Sequence, residues 1–285
     1  MSGAAQPRLK VRAGVIGFPI AHSRSPLIHT HWLKAYNIAG SYERIEVAPD
    51  ALAGFVQTLE ANGYAGCNVT VPHKERAFAL VDECDDAARR LGAVNTIWCD
   101  AGRIFGSNTD LYGFLANLDA TLPDWSQRPG KAIVLGAGGA ARAVIAALAA
   151  RGFAPLVIVN RNQQRARQLA LELRIEVQVI GWEDAAAALR DAALLVNTST
   201  LGMTGHPPLE LDLHHLPGSA VVSDIVYAPL RTGLLRAAQA RGNRICGGLG
   251  MLLHQAVPGF ERWFGVRPDV TDDLHRLIER DLGER

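Results

Sequence analysis

The chain's 285 residues, 48% of them hydrophobic, can fill the cores of two ordinary domains without a metal or disulfide staple. Its 29 basic and 28 acidic residues are interspersed and leave a net charge of +1, which excludes a basic face for nucleic acid or anionic lipid. Cys67, Cys84, Cys99 and Cys246 lie far apart without CxxC spacing and the nine histidines show no ligand spacing, so we expect no metal and a reducing, cytoplasmic location.

The opening MSGAAQPRLK has no apolar h-region. Short apolar runs then alternate with helical patterns: a strand over Ala13 to Gly17, a helix from near Pro26, a strand over Tyr42 to Val47, a helix near Ala51 to Asn62, and a strand over Gly66 to Val71. This alternation predicts βαβ units on a mostly parallel sheet. The segment LPDWSQRPG, Leu122 to Gly130, collects prolines and polar residues and marks a boundary. Beyond it, strands read at Ala132 to Leu135, Leu156 to Asn160, Leu194 to Thr198 and Val221 to Ile225, with Ala-rich or Leu-rich helices between them, a doubly wound pattern. The most apolar stretch, Ala140 to Ala150, is interrupted by Arg142 and stopped by Arg151-Gly152, so no membrane span is expected. After Gly250 the chain reads as helical, with a break at Pro258-Gly259, and this tail is expected to pack back on the first domain. The fold class is therefore α/β, with a first domain over residues 1–120 completed by helices in 249–285, and a Rossmann-type domain over 121–248.

The run AIVLGAGGAARAVIAALAARG is a strand, a glycine turn and an Ala-rich helix, and its Gly136-x-Gly138-x-x-Ala141 spacing is the dinucleotide fingerprint. Gly136 permits the tight turn, Gly138 lets backbone approach a pyrophosphate, and Ala141 lets helix and strand pack closely, aiming free N–H groups at the anion. At the end of the next strand an NAD site usually places a carboxylate for the ribose 2′-hydroxyl. Here stand Asn160-Arg161-Asn162, with Arg165 a turn later, so two guanidinium groups are offered to a 2′-phosphate and NADP is the expected cofactor. Solvated helix-start arginines are the structural alternative.

Three polar clusters sit where an ordinary core would not need them: Ser23-Arg24-Ser25-Pro26, Asn68 to Lys74 (NVTVPHK), and Asn108-Thr109-Asp110. Ser25, before Pro26, reads as a helix N-cap, whereas Ser23 has no such structural use. Pro72 reads as opening a helix that places the Lys74 amine near the sheet's carboxyl edge, where α/β proteins bind ligands. A single lysine is more often a surface charge, and Asp110 serves equally as a helix cap.

Taken in order, GFPIAHSRSP, GCNVTVPHKE, LGAVNTI, GSNTD, VLGAGGAAR, NRNQQRA, NTSTLGM, SDIVYAP and GGLGMLLHQA resemble the motifs of the shikimate dehydrogenase family over essentially the whole chain. The resemblance implies reversible reduction of 3-dehydroshikimate to shikimate with NADPH, on the route to aromatic amino acids. The first domain then binds substrate and holds the catalytic pair, Lys74 and Asp110, and the second binds NADP. Substrate contacts carry over to Ser23, Ser25, Thr70, Lys74, Asn95, Asp110, Tyr227 and Gln255. Ser23, Ser25 and Tyr227 suit a carboxylate; Asn95, Asp110 and Gln255 suit ring hydroxyls. Met251 and Gln255 are spaced to share one helix face. Cofactor contacts carry over to Gly136, Ala137, Gly138, Gly139, Ala140, Asn160, Arg161, Asn162, Arg165, Ile225 and Gly248, with Asp86 as a further position. Hydride transfer to a ketone leaves charge on oxygen, so an acid must supply a proton, a task we assign to Lys74 within a coupled pair. No metal is implied, and the chain is expected to work as a monomer or homodimer. Leu111, Asn162, Ala228 and Gly247 depart from the family's usual Gly, Thr, Asn and Asp. Two rival readings stay open: a quinate or quinate/shikimate dehydrogenase, and a non-catalytic NADP-binding protein on the same fold.

Overall fold

The computed structural model describes residues 11–283; residues 1–10, with which the expected first domain begins, and 284–285, with which the expected tail ends, lie outside the described residues. The described chain divides into two compact units, one running to Thr109 and adding Ala256–Leu274, the other comprising Asp110–Gln255 and the residues from His275 on. The division falls between Thr109 and Asp110, ahead of the proline-rich segment, because the helix that follows packs on the second unit's elements.

The first unit contains β1 (Val11–Gly17), α1 (Ser25–Ala35), β2 (Gly40–Glu46), α2 (Leu52–Gln57), β3 (Tyr64–Val69), α3 (Lys74–Phe78), β4 (Glu83–Cys84), α4 (Asp86–Leu91), β5 (Thr96–Asp100) and β6 (Arg103–Ser107). Its sheet order is β2-β1-β3-β5-β6-β4. β1 pairs parallel with β2 and β3, and β4 with β6, but β5 runs antiparallel to both β3 and β6, so this sheet is mixed. The β5–β6 hairpin turns at Ala101-Gly102, both at positive φ (49° and 75°), the twist that two-residue hairpins favour. Both faces of β1 are covered: Ile16 packs with Val47, Leu52, Cys67, Val69 and Ile97, and Ala13 and Val15 pack on the other side with Tyr42 and Trp263. Residues 256–274 close that second face. The Trp263 Nε1–H donates to Ile97 O (2.9 Å), and Gly66 makes room, since a Cβ there would lie 2.2 Å from the indole nitrogen.

The second unit contains α5 (Asp110–Thr121), β7 (Lys131–Leu135), α6 (Gly139–Ala150), β8 (Leu156–Val159), α7 (Gln163–Leu173), β9 (Gln178–Ile180), α8 (Ala185–Ala188), β10 (Ala192–Asn197), β11 (Val221–Asp224), α9 (Gly233–Ala240), β12 (Arg244–Cys246), the start of α10 (Leu249–Phe264) and most of α11 (Asp272–Gly283). All pairings are parallel in the order β12-β11-β10-β7-β8-β9, the doubly wound arrangement with its switch point between β7 and β10. Two expectations for the tail need correction. α10 runs unbroken through Pro258. Gly259 lets the helix lie close to β5, a Cβ there reaching within 3.5 Å of Thr96 Cγ2, and this packing outweighs the one backbone bond that proline forfeits. The tail is also shared between the units instead of packing on the first alone. Among the described residues no helix is long and apolar enough to cross a membrane.

Candidate active site

In the first unit the loops after β1 and β3 leave the sheet side by side. Phe18 N–H donates to Val71 O (3.1 Å) and Thr70 N–H to Ile16 O (2.9 Å), and Gly17 lacks the Cβ that would sit 2.6 Å from the Thr70 methyl. The start of β5 and the end of β6 join the same edge, as Val69 N–H donates to Asn95 O (2.8 Å) and Asn95 N–H to Ser107 O (3.0 Å). Ser23, Ser25, Thr70, Lys74 and Asn95 are thereby gathered at the carboxyl edge of β1 and β3.

Two local expectations fail here. Ser25 is the first residue of α1, not its cap: Arg24 occupies the N-cap and no side chain caps the helix. The Ser25 N–H reaches Ser23 Oγ (3.3 Å). Pro72 does not open α3 either; His73 is the N-cap and Lys74 the first helical residue. His73 is buried and its Nε2–H donates to Val47 O (2.7 Å), while Lys74 O accepts from Val94 N–H (2.9 Å), so the backbone on both sides of the lysine is pinned.

Behind these residues lies a buried polar network. Asn95 Oδ1 accepts from Thr109 N–H (2.9 Å) and the Thr96 hydroxyl (2.9 Å), and its Nδ2 donates to Thr109 Oγ1 (3.0 Å). Asn68 Nδ2 donates to Asn95 O and Thr96 Oγ1 (both 3.1 Å), and Asn68 Oδ1 accepts from the Tyr42 hydroxyl (2.6 Å). Asn108 Nδ2 donates to Ala93 O (3.0 Å). The sequence marks Asn68, Asn108 and Thr109 as out of place in a core, but nothing local marks Tyr42 or Thr96. The Tyr42 ring stacks on His29 with centroids 3.8 Å apart. His29 is fully buried beside Trp32, Phe260 and Trp263, and neither of its ring nitrogens has a hydrogen-bond partner among the described residues. Burial pushes its pKa down to about 3, opposed in part by the nearby Asn68 side chain.

In the second unit Asp110 is buried at the first position of α5, inside the helix and not outside it as a cap. One turn on, Gly113 lets α10 approach: a Cβ there would lie 2.7 Å from Gln255 Cβ and 2.9 Å from Met251 O. Met251 and Gln255 therefore share a face, as their spacing predicts, and that face meets α5. Asn117 Nδ2 donates to Gly247 O (2.8 Å), and a Cβ on Gly250 would lie 1.9 Å from Asn117 Oδ1. Glycines on both helices thus set Asp110 and Gln255 on directly packed elements.

The dinucleotide turn follows β7. Gly136 has φ +104°, which only glycine adopts freely, and donates its N–H to Val159 O (2.8 Å). Ala137 is buried; Gly138 caps α6 and Gly139 begins it, and a Cβ at either glycine would meet nothing within 4 Å. Ala140 follows and Ala141 is fully buried against the core. The N-terminus of a twelve-residue helix, stripped of side chains and facing open space, fits a pyrophosphate. At the end of β8, Asn160 Nδ2 donates to Asn162 O (2.7 Å) and Asn162 Oδ1 caps α7 through Arg165 N–H (3.0 Å), so the departure at Asn162 has a structural use. Arg161 and Arg165 are exposed, and neither enters an ion pair among the described residues, which leaves both guanidinium groups for a 2′-phosphate. Ile225 and Gly248 pack together: Ile225 N–H donates to Asn197 O (3.1 Å), and a Cβ on Gly248 would lie 2.1 Å from Ile225 O. Tyr227 stands two residues on, partly buried. Asp86 begins α4 in the first unit, its exposed carboxylate paired with Arg89.

A hydrogen-bonded cluster to which the sequence reading gave no role holds these loops. Asp224 accepts from Thr232 Oγ1 (2.7 Å), Asn197 Nδ2 (2.9 Å) and Val226 N–H (3.0 Å), and Asn197 Oδ1 in turn accepts from Ser199. Burial raises the Asp224 carboxyl above its ordinary pKa, against these hydrogen bonds, which lower it. Among the described residues no cluster of His, Cys, Asp or Glu is arranged to hold a metal.

Comparison with known proteins agrees with this geometry along the chain. Residues 15–97 match the shikimate dehydrogenase substrate binding domain, 120–204 the shikimate / quinate 5-dehydrogenase family and 248–276 the shikimate 5′-dehydrogenase C-terminal domain. The NADP(+) shikimate dehydrogenase of Methylocella silvestris is 56% identical over 95% of this chain and 96% of its own. The shikimate 5-dehydrogenase of Thermus thermophilus, solved with NADP(H) and shikimate, is similar with a TM-score of 0.81 and 37% identity, covering 96% of this chain and 99% of that one. A quinate dehydrogenase from Corynebacterium glutamicum, solved with NAD, is similar with a TM-score of 0.86 and 31% identity over the same shares.

Proposed function

Given that the chain belongs to the shikimate dehydrogenase family, we propose that it is an NADP-dependent dehydrogenase interconverting 3-dehydroshikimate and shikimate in aromatic amino acid biosynthesis. The observation that carries this reading is the gathering of Ser23, Ser25, Thr70, Lys74 and Asn95 at one sheet edge, in the unit that matches the substrate-binding family. Ser23, Ser25 and Tyr227 bind the ring carboxylate; Asn95, Asp110 and Gln255 bind its hydroxyls, and Thr70 is a further substrate contact. Bound NADP supplies the hydride on reduction and accepts it on oxidation. Lys74 gives its proton to the carbonyl oxygen on reduction and takes it back on oxidation, with Asp110 as the second catalytic residue. Gly136 to Ala140 receive the pyrophosphate, Arg161 and Arg165 the 2′-phosphate, with Asn160, Asn162, Ile225 and Gly248 shaping the remainder and Asp86 a further cofactor position. All four cysteines are free thiols, in keeping with a cytoplasmic enzyme, which we take to act as a monomer or homodimer.

Absorbance of reduced nicotinamide after mixing the protein with shikimate or quinate, each with NADP⁺ and with NAD⁺, tests the reading. Reduction with shikimate and NADP⁺ is expected. Turnover of quinate with NAD⁺ alone would replace it with the quinate dehydrogenase reading, which the similarity to the Corynebacterium glutamicum enzyme favours. No turnover in any combination would leave a non-catalytic NADP-binding protein.

A further inference from the structure

We infer that Tyr42, on β2, is a positioning residue for the substrate: its hydroxyl orients Asn68 and, through Asn68 and Thr96, fixes the Asn95 side chain. The inference rests on the proposed role of Asn95 as a substrate contact. Tyr42 is 6% exposed and donates to Asn68 Oδ1 at 2.6 Å, which decides the orientation of that amide. With its oxygen turned to Tyr42, Asn68 presents Nδ2 to Asn95 O and Thr96 Oγ1, and the Thr96 hydroxyl donates onward to Asn95 Oδ1. Burial, with Cys67 nearby, raises the phenol well above its usual pKa, so the hydroxyl keeps the proton it donates. One phenol oxygen thereby sets the orientation of an amide from a distant part of the sequence.

The aromatic ring is held separately. It stacks on His29 and packs against Trp263, with Ala13 and Val15 in the same cluster, so removing the oxygen leaves the packing in place. What is lost is the donor: Asn68 Oδ1 becomes a buried acceptor without its partner, and the amide that presents Nδ2 to Thr96 and Asn95 is no longer held.

Steady-state kinetics of Tyr42→Phe with shikimate and NADP⁺ test the inference. The KM for shikimate is expected to rise about tenfold, the worth of one buried hydrogen bond, with the KM for NADP⁺ unchanged. In an Asn68→Ala background the same substitution should add less than about twofold, because the link to Asn95 is already cut. A wild-type KM for shikimate in Tyr42→Phe, or fully independent effects in the double variant, would overturn the inference and leave the proposed activity standing. Wild-type protein inert toward shikimate and NADP⁺ would remove both. Should Tyr42→Phe not fold, 3-fluorotyrosine at position 42 retains the hydroxyl and reports the same link. Its fluorine resonance should move on adding shikimate but not on adding NADP⁺ alone, and an unmoved resonance overturns the inference.

Discussion

At the carboxyl edge of the all-parallel sheet the chain makes room by leaving side chains out: Gly138 and Gly139 face open space, Gly248 abuts the Ile225 backbone, and Gly136 lies against Thr198 Oγ1 and the Ser199 backbone. At the carboxyl edge of the mixed sheet it does the reverse, packing Tyr42, Asn68, Asn95, Thr96 and Thr109 into a buried hydrogen-bonded network. The difference follows from the ligands proposed for each. A pyrophosphate is recognised by main-chain N–H groups, so the requirement is close backbone approach. A polyhydroxylated ring must be recognised by side chains held in one orientation, so the requirement is a rigid polar support.

The sharpest break of that contrast is chemical. Lys74→Ala should lower turnover by about 10³-fold, the scale of a lost general acid, while NADP⁺ binding followed by fluorescence stays at the wild-type level. Equal losses in both readouts would mean that the two edges do not divide the work. Next, Arg161→Ala with Arg165→Ala should raise the KM for NADP⁺ by ~100-fold, as two charge-assisted contacts go, and leave the KM for NAD⁺ nearly unchanged. An equal rise for both cofactors would remove the 2′-phosphate assignment.

The aromatic support of the substrate edge can be probed by pH. His29 has a folded pKa of about 3 against an ordinary 6.5, so the unfolded chain takes up a proton first as pH falls. Its stabilising contribution is complete above 6.5 and is lost progressively toward 3. Urea unfolding at pH 7.5 and pH 5 should show wild type losing about 2 kcal/mol more than His29→Phe over that interval; identical losses would mean that His29 does not titrate as a buried ring. The smallest effect is expected on the cofactor side. Thr232→Ala removes both the bond to Asp224 and the side-chain cap of α9, and should cost about 1–2 kcal/mol in the same unfolding assay.

How much of each edge was legible in the sequence follows the same contrast. The glycine turn is a local demand, so its spacing located the strand, the turn and α6, and the end of the following strand pointed to Arg161 and Arg165. The strands β7, β8 and β10 were legible because burial on both faces makes them nearly unbroken apolar runs, and β11 was legible from Val221 and Val222 at its start. β9 and β12 were not, since three-residue edge strands such as Gln178–Ile180 and Arg244–Cys246 carry too little pattern. Antiparallel β5 and β6 escaped too, although the Ala101-Gly102 turn was a usable signal. In the first unit Asn68 stood out as a polar residue where a core would not need one, while Lys74 and, in the second unit, Asp110 were also open to surface-charge and capping readings and took their roles from the family resemblance. Tyr42 did not stand out, because its hydrogen bond to Asn68 joins residues far apart in the chain. Ser25 was misread as a cap because the helix begins at Ser25 itself, with Arg24 at the N-cap. Pro258 was misread as a break because packing on β5 could not be seen from the helix alone.

The placement of Trp263 in the first unit has a consequence for how the protein is made. Its indole covers the face of the first sheet that carries Tyr42, yet it is encoded after every strand of the second. On the ribosome, the N-terminal strands must therefore wait with one apolar face uncovered while the whole cofactor unit is synthesised. The domain that begins first is completed last, and it is the one whose nascent state needs protection from aggregation.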